Sequence, residues 1–392
     1  MEKTMIYLDN SATTPICDEA LAVYERVSRE CFGNPSSLHA LGAKAEKVIS
    51  TARSEVLSSL YTRSGEVIFT ASGSEANNLA IVGHALSKER YRRGAKIITT
   101  MGEHASVNEP LRMLEDFGFT VVKIPTVGGE IDLAALDGAL DRSVILVAAM
   151  LVNNETGAVY NIPEVARRIR ARAPEAYLHV DATQGYMKIP FSPEGLGADT
   201  LTVSSHKIEG PKGVGALYIS ERVKKERGLA PVIYGGGQER GLRSGTENVP
   251  GIAAFGAAAR VGLARIEENI AKMQSLRDRL VEKLCTDPRL SEIKVARPPM
   301  HAPHIVNITL PAIKSETMLH FLSSEGIYVS SGSACSSNTG HVSSALTAFG
   351  RSEAEADCSV RISFAPTNTV DDVDALCEAL AAGLARLARI KK

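Results

Sequence analysis

The segment Thr200-Leu-Thr-Val-Ser-Ser-His-Lys-Ile-Glu-Gly-Pro-Lys-Gly213 joins a short apolar strand to a polar end and a glycine-rich turn. Leu201 and Val203 alternate with polar residues, as in a strand with a buried face. Lys207 follows this strand directly. A lysine beside buried residues loses part of its hydration, which lowers its pKa and makes its amine nucleophilic. An ordinary loop lysine fits the same pattern, so the surrounding sequence has to decide between the two.

The sequence around this segment repeats a strand-then-helix pattern, with strand candidates at 67–70, 96–100, 120–124, 143–150, 177–181 and 200–203. Such alternation predicts an α/β domain with a mostly parallel sheet. Ligands bind at the carboxyl ends of the strands in these sheets. Polar residues follow five of the predicted strands at that end: Ser72, Gly73 and Ser74; His104; Asn153 and Asn154; Asp181 and Gln184; Ser204, His206 and Lys207.

The last third of the chain loses this pattern. An amphipathic helix is predicted over 252–284, with Leu276, Leu280 and Leu284 on its apolar face. A smaller α+β unit follows. Its predicted strands are 305–310, 326–329 and 360–364, and its predicted helices are 315–324, 342–349 and 370–390.

Composition narrows the class of protein. The chain has 392 residues, 44% of them hydrophobic and 23% charged, and a formal net charge of -1. These values are typical of a globular protein and give no argument for binding nucleic acid or an anionic membrane. We find no signal peptide and no apolar run of about 18 residues, so we expect a cytoplasmic protein without a membrane span. The six cysteines form no CxxC pair, and we predict no metal site.

Three residue types near the strand ends suit a pyridoxal phosphate (PLP) site. Lysine forms a Schiff base with PLP, and Asp181 could pair with its protonated ring nitrogen. The segment 72–78 begins a helix, whose free N–H groups bind phosphate. His104 could lie against the cofactor or move protons. Each residue also has an ordinary interpretation, as a helix cap, an ion-paired carboxylate or a hydrogen-bonded loop histidine.

Two residues of the C-terminal unit are also unusual. Cys335 lies among serine, glycine and alanine, whereas structural cysteines are usually buried among apolar side chains, so we predict a reactive thiol. Arg361 is a charged residue inside an apolar strand and needs a carboxylate partner. Either a substrate carboxylate or a protein acid would satisfy it.

Taken together, these motifs resemble the cysteine desulfurases, PLP enzymes of the class-V aminotransferase family, along nearly the whole chain. The stretch 336–357 resembles the group that serves iron–sulfur assembly and tRNA thiolation. The sequence differs mildly at Gly73-Ser74, where the family often has Ala-Thr, and at Ser205, where glycine is common. The motifs that carry the resemblance are Tyr7-Leu-Asp-Asn-Ser-Ala-Thr-Thr-Pro15, Val152-Asn-Asn-Glu-Thr-Gly157, His179-Val-Asp-Ala-Thr-Gln184, Ser205-His-Lys207, Gly210-Pro-Lys-Gly213, Arg243-Ser-Gly-Thr246 and Ser331-Gly-Ser-Ala-Cys335.

The resemblance implies the fold of PLP-dependent transferases of fold type I. A large PLP-binding domain would span 15–255. A small domain would comprise 1–14 and 256–392 and carry the cysteine loop at about 330–342. The resemblance further implies a homodimer that meets a sulfur-acceptor or iron–sulfur scaffold protein.

The resemblance also implies a role for each site residue. Lys207 would bind PLP covalently, and His104 would stack on the ring and assist proton transfer. L-cysteine would become L-alanine, leaving its sulfur on Cys335 as a persulfide. Asn154 and Arg361 would bind the substrate carboxylate. The cofactor-binding set would be Gly73, Ser74, Asn154, Asp181, Gln184, Ser204, His206, Lys207 and, from a partner subunit, Thr246.

Two alternatives remain open from the sequence. A selenocysteine lyase or an aminotransferase could use the same scaffold, although a plain aminotransferase has no use for Cys335. A non-catalytic sulfur-relay scaffold is the alternative of another class, and the intact Lys207, Asp181 and His104 argue against it.

Overall fold

A computed structural model describes residues 5–87, 95–331 and 343–387 of the chain. The described strands are β1 Ile6–Tyr7, β2 Glu66–Thr70, β3 Lys96–Thr100, β4 Thr120–Ile124, β5 Val144–Met150, β6 Tyr177–Asp181, β7 Thr200–Ser204, β8 Gly215–Ile219, β9 Lys294–Val295, β10 Ile305–Thr309, β11 Ile327–Tyr328, β12 Ser330–Ser331 and β13 Ser359–Ser363. The described α-helices are α1 Asp18–Glu30, α2 Ala40–Ser59, α3 Gly73–Leu86, α4 Ala105–Asp116, α5 Leu133–Ala139, α6 Ile162–Arg172, α7 Pro193–Leu196, α8 Glu221–Lys225, α9 Val249–Ala264, α10 Ile266–Thr286, α11 Ser315–Ser324, α12 Ser344–Phe349, α13 Glu353–Asp357 and α14 Val370–Leu387.

A seven-stranded sheet in the order β2-β8-β7-β6-β5-β3-β4 forms the centre of the larger part of the molecule. Strands β4, β3, β5, β6 and β7 pair in parallel, and β8 runs antiparallel to both β7 and β2. All residues of β5, β6 and β7 are buried, as expected for strands covered on both faces. The predicted α/β fold with a mostly parallel sheet is confirmed.

Strand β8 was absent from our sequence prediction. Its five residues, Gly-Ala-Leu-Tyr-Ile, are all buried, and they return antiparallel along β7 after the glycine-rich turn. The prediction failed because a strand that follows its partner through a turn lacks the intervening helix that marked the other strands.

The prediction of one long helix over 252–284 was wrong. Two helices, α9 and α10, meet at Arg265, which has the non-helical angles φ −122° and ψ 16°, and their axes bend by 74°. Helix α9 is rich in alanine and glycine and is buried against α1 and α2, whereas α10 buries only a stripe. The chain bends because the two helices pack into different hydrophobic clusters.

A second hydrophobic core lies around a four-stranded antiparallel sheet, β12-β13-β10-β9. Leu276, Leu280 and Leu284 of α10 enter it, as their spacing predicts, together with residues of α11 and α14. Leu8 also belongs to this core, next to β1, which pairs in parallel with β11. The limits that we assign to two domains remain a prediction.

The N-terminal residues 9–14 connect this second core to the end of β7. Asp9 bridges to Ser363 of β13, and the Ser11 N–H donates to Ser363 Oγ at 2.8 Å. Three residues beyond Ser11, the Thr14 N–H donates to the His206 carbonyl at 2.9 Å. The segment therefore places polar backbone groups beside Lys207.

Within the described residues, no single helix is long and apolar enough to cross a membrane, and only the bent pair α9–α10 reaches the required length and composition jointly.

We expect Gly215→Ala to destabilise the protein by about 1–3 kcal/mol, the usual range for overpacking. A Cβ at this position would lie 2.4 Å from the Ser72 carbonyl carbon and 2.7 Å from the Gly73 nitrogen. Both are backbone atoms, so β8 and the start of α3 would have to separate. The measurement is denaturant unfolding.

Gly138→Ala is the matched control, because a Cβ there meets no atom within 4 Å and the residue is helical. We expect that variant to be stabilised by about 0.5–1 kcal/mol. Equal stability of the two variants would contradict the close approach of β8 to α3.

Candidate active site

Five elements bring polar side chains to one edge of the central sheet. Strand β3 leads to His104, β5 to Asn154 and β7 to Lys207, while β6 ends at Asp181. Helix α3 begins at Gly73, beside Ser204 at the end of β7. The predicted clustering of strand ends is therefore present in the structure.

Lys207 is half-buried, and its ammonium group is held by the N-terminal segment. Its Nζ donates to the Ser11 carbonyl at 2.5 Å and to the Ala12 carbonyl at 2.8 Å. The side chain therefore points inward along residues 11–12, unlike that of an ordinary surface lysine. No feature of the sequence connects residues 11–12 with a lysine nearly 200 positions later.

Asp181 is a buried carboxylate that accepts two hydrogen bonds. Asn77 Nδ2 donates to its Oδ2 at 2.8 Å, and the Thr183 N–H donates to its Oδ1 at 3.0 Å. Among the described residues, no basic side chain forms a salt bridge with Asp181. A buried carboxylate without a cationic partner fits the protonated ring nitrogen of PLP, which would supply the missing positive charge.

The start of α3 has the features of an anion site. The helix has 14 residues, and its first N–H groups have no partner within the helix. The hydroxyls of Ser204 and Ser205 are buried and have no hydrogen-bond partner among the described residues. A Cβ on Gly73 would lie 3.4 Å from both Ser204 Cβ and Thr183 Oγ1, so glycine keeps this space open. The unsatisfied buried hydroxyl of Ser204 beside a helix N-terminus fits a phosphate group.

His104 caps helix α4 and is neutral near pH 7. Its Nδ1 accepts the Ser106 backbone N–H at 3.1 Å, so its proton lies on Nε2. Burial lowers the pKa of His104 below its ordinary value, and the nearby charge of Asp181 opposes this effect only in part. Nε2 is therefore the atom at which His104 can hold or give up a proton.

His206 and Gln184 lie on either side of the N-terminal segment. His206 Nδ1 and Thr13 Oγ1 are 3.2 Å apart, and burial together with Lys207 lowers the pKa of His206 to about 4. Gln184 Nε2 donates to the Ser11 carbonyl at 2.9 Å. Lys207 and Gln184 therefore share one backbone acceptor.

Arg361 is buried and has a protein acid as its partner. Its Nη2 contacts Asp9 Oδ1 at 2.8 Å, and its Nη1 donates to the Asn154 carbonyl at 3.0 Å. Its Nε is buried without a partner among the described residues. Of the two predicted partners, the internal acid is present, and the binding of a substrate carboxylate by Arg361 and Asn154 stays a prediction.

The remaining predicted residues are not joined to this cluster by the described contacts. Ser74 and Thr246 are exposed, and Cys335 lies outside the described residues. Both flanks of the segment 332–342 reach the site, however. Ser330 pairs with Arg361, and Ser343 Oγ donates to Glu155 Oε2 at 2.6 Å.

Sequence reasoning missed several buried or half-buried polar residues here. Asp9 and Asn77 form the contacts described above. Burial raises the pKa of Glu155 to about 7 and that of Glu103 to about 8. Glu103 accepts hydrogen bonds from Thr100 Oγ1 and from the Met150 N–H. The only available signal was that Glu103 and Glu155 stand next to predicted site residues.

Comparisons with known proteins agree with this geometry. A family model described as aminotransferase class-V matches residues 6–376. The chain is 37% identical over 385 residues to a protein of Archaeoglobus fulgidus named Cysteine desulfurase IscS 1, covering 98% of both chains. It is also 37% identical over 378 residues to the Cysteine desulfurase IscS of Methanosarcina thermophila, covering 96% of this chain and 91% of that one.

Solved structures show the same relationship. A NifS-like protein superposes with a TM-score of 0.89 at 34% identity, covering 97% of this chain and 100% of that one. A structure titled SspA in complex with cysteine superposes with a TM-score of 0.78 at 32% identity, covering 94% and 100%. The fold and the lysine and aspartate at adjacent strand ends define a PLP-dependent enzyme of fold type I. The chain belongs to the class-V aminotransferase family and, within it, to the cysteine desulfurases.

We expect Glu103→Gln to stabilise the protein by about 2–4 kcal/mol at pH 9 and to have little effect near pH 5. The folded protein keeps the Glu103 proton up to about pH 8, whereas the unfolded chain releases it near the ordinary value of 4.5. The stability that this group contributes is therefore complete below pH 4.5 and is lost as the pH rises towards 8. Glutamine is nearly the same size as glutamate but does not titrate, so its contribution to stability does not change with pH.

The measurement is denaturant unfolding of wild type and variant between pH 5 and 9. Glu109→Gln is the control, because Glu109 lies on the exposed face of α4, where its salt bridge is with Arg112 of the same helix. Parallel stability curves for wild type and Glu103→Gln would show that Glu103 is ionised in the folded protein.

Proposed function

We propose that this chain uses PLP to convert L-cysteine to L-alanine, transferring the sulfur first to Cys335 as a persulfide and then to an acceptor protein. The acceptor would serve iron–sulfur cluster assembly or tRNA thiolation. The observation that carries the proposal is the pair formed by a buried, cation-free Asp181 and an inward-pointing Lys207 on adjacent strands. The cysteine desulfurase relatives and the neighbour solved with cysteine support the substrate.

The residues that would hold PLP follow from the fit of the site. The start of α3 at Gly73 and Ser74, with Ser204 and His206, would bind the phosphate. Gln184, whose amide lies next to the Lys207 anchor, would bind the ring oxygen. When bound, PLP withdraws electrons from the substrate and so makes the Cα proton removable.

Lys207 and His104 would transfer protons, Lys207 through Nζ and His104 through Nε2. Lys207 Nζ is positioned by two carbonyls and, as a neutral amine that has left them, can accept the Cα proton. His104 presents an Nε2–H, because Nδ1 is occupied by the Ser106 N–H. A neutral imidazole next to Asp181 suits proton donation and return within one turnover.

The substrate carboxylate would lie between Asn154 and Arg361. Two nitrogens of the guanidinium group donate hydrogen bonds, one to Asp9 and one to the Asn154 carbonyl. Its Nε is buried without a partner among the described residues, so Arg361 can donate a further hydrogen bond. Asp9 keeps the cation oriented before the substrate arrives. Pre-orientation would reduce the entropy lost when the substrate binds.

Sulfur transfer would take place at Cys335. Its Sγ, as the thiolate, attacks the substrate sulfur, so an S–S bond forms while the Cβ–S bond breaks. The bonding electrons remain on the substrate carbon, which takes up a proton and leaves as L-alanine. One L-cysteine and one protein thiol thus give one L-alanine and one persulfide. Of the described residues on either side of the segment 332–342, Ser330 pairs with Arg361 and Ser343 contacts Glu155.

The assembly and location belong to the same proposal. We expect a homodimer in which Thr246 serves the partner's site, and the exposure of Thr246 and of the nearby Tyr234 supports this. We also expect a cytoplasmic enzyme. Cys17, Cys31, Cys285 and Cys377 form no disulfide in the described part of the chain, which fits a reducing compartment.

Cys335→Ala should bind PLP and L-cysteine and yet release no sulfide in the presence of a reductant, because no thiol receives the sulfur. The measurement combines visible absorbance on addition of L-cysteine with sulfide and alanine assays. Cys285→Ala, at an exposed cysteine, is the control and should retain wild-type rates. Normal sulfide release from Cys335→Ala would overturn the role that we give to this thiol.

Lys207→Ala should lose the visible absorbance of lysine-bound PLP and fall by roughly three orders of magnitude or more in alanine formation, as expected when a covalent catalytic residue is removed. Lys212→Ala removes an exposed lysine of the same turn and should leave the spectrum unchanged. An unaltered spectrum in Lys207→Ala would mean that another lysine binds the cofactor.

A further inference from the structure

Asn77, in the second turn of α3, connects three groups of the site. It is 1% exposed. Its Nδ2 donates to Asp181 Oδ2 at 2.8 Å and to Ser106 Oγ at 2.9 Å, and its Oδ1 lies 3.1 Å from His179 Nε2. The carboxamide therefore uses both of its N–H groups and its oxygen. No comparison and no step of the proposed mechanism gives this residue a role.

The direction of each of these hydrogen bonds can be assigned. A carboxylate only accepts, so the amide must turn its NH₂ group towards Asp181 and its oxygen towards His179. His179 Nε2 then carries a proton and donates. Because burial lowers the pKa of His179 to about 4, the ring is neutral and its Nδ1 is an acceptor. Thr200 Oγ1, 3.0 Å away, donates to it.

The result is an ordered chain of donors that ends at Asp181. The Thr200 hydroxyl donates to His179, His179 donates to Asn77, and Asn77 donates to the carboxylate. All four residues are buried. In such surroundings, hydrogen bonds that point the same way polarise one another and favour the charged form of the final acceptor. The chain therefore gives the Asp181 carboxylate an aligned hydrogen-bond donor in place of a cationic side chain.

A second branch runs from Asn77 to His104. Ser106 Oγ accepts from Asn77, which leaves its own proton for His104 Nδ1 at 2.8 Å. The Ser106 backbone N–H donates to the same nitrogen. His104 Nδ1 thus receives two hydrogen bonds, and the proton of the neutral ring stays on Nε2.

We propose that Asn77 is a positioning residue that sets both the charge of Asp181 and the tautomer of His104. His179 orients the carboxamide of Asn77 through its contact with Oδ1, and Thr200 in turn orients His179. The inference rests on the proposed function, in that the PLP ring nitrogen would lie against Asp181. It adds that the acidity of that nitrogen depends on residues that touch neither cofactor nor substrate.

The test is a visible pH titration of PLP-loaded protein. Without the Asn77 donor, Asp181 becomes more basic and takes more of the proton that it shares with the ring nitrogen. The ring then carries less positive charge, so the lysine-bound chromophore titrates at higher pH. We expect Asn77→Ala to raise its midpoint by about one pH unit and to weaken PLP binding roughly tenfold, the usual effect of one hydrogen bond to a charged group.

Asn78→Ala is the matched control. Within the described part of the chain, its side chain bonds to the Ser74 carbonyl of the same helix and to no other group, so the variant should titrate as wild type does. If Asn77 only packs the core, Asn77→Ala will melt at lower temperature while its titration coincides with that of Asn78→Ala. That outcome would overturn the proposal.

His179 provides an independent pair of variants, which decides the matter if Asn77→Ala does not fold. His179→Gln keeps an N–H near the position of Nε2, whereas His179→Leu has none. We expect the leucine variant to raise the midpoint and the glutamine variant to restore it towards that of wild type. Equal midpoints in the two variants would refute the chain of donors.

The same samples separate this inference from the proposed function. Wild-type protein that binds PLP but forms no alanine from L-cysteine would contradict the proposed reaction, and the titrations would still decide the role of Asn77. Wild-type protein without a visible lysine-bound band would overturn both.

Discussion

The negative charge of Asp181 is the constraint on which this active site depends. It lies at the end of a strand buried on both faces, where an isolated carboxylate would be strongly unfavourable. The protein gives it hydrogen-bond donors and, within the described residues, no salt-bridge partner. The remaining charge is therefore available to a cationic ligand group. Most other features of the site either bring Lys207 and His104 next to this carboxylate or keep its charge in place.

The other acidic and basic side chains of the site have surroundings that differ from those of Asp181. Glu103 and Glu155 are buried close to the same strand ends, and burial raises the pKa of both. Near pH 7 both acids are therefore protonated to a much greater extent than an ordinary glutamate, and Glu103 more so than Glu155. Arg361 forms an ion pair with the carboxylate of Asp9. The site thus contains one carboxylate kept ionised by donors, two acids that burial favours in the neutral form, and one cation paired with its own acid.

Much of this arrangement was predictable from local pattern. Strands β2 to β7, and the polar residues that follow five of them, are predicted from apolar runs and helix spacing. Strand β8 was missed because it follows β7 through a turn without a helix. The break at Arg265 was missed because α9 and α10 are each good helices, and only their packing into separate cores requires the bend. The roles of Asn77 and Asp9 depend on partners more than 100 residues away in the sequence, and no local pattern reveals such partners.

The N-terminal segment 9–14 also affects the order in which the enzyme can be completed during synthesis. Ser11 joins its backbone to Ser363, 352 residues later, and to Lys207, 196 residues later. Chains leave the ribosome N-terminus first, and folding proceeds as partners become available. The central sheet can therefore assemble while the last quarter of the chain is still being translated. The N-terminal segment that contacts Lys207 cannot yet be fixed in place, because its partner Ser363 has not been synthesised. A nascent chain would keep its reactive lysine in an unfinished site until β13 emerges, so translation itself delays the acquisition of a working active site.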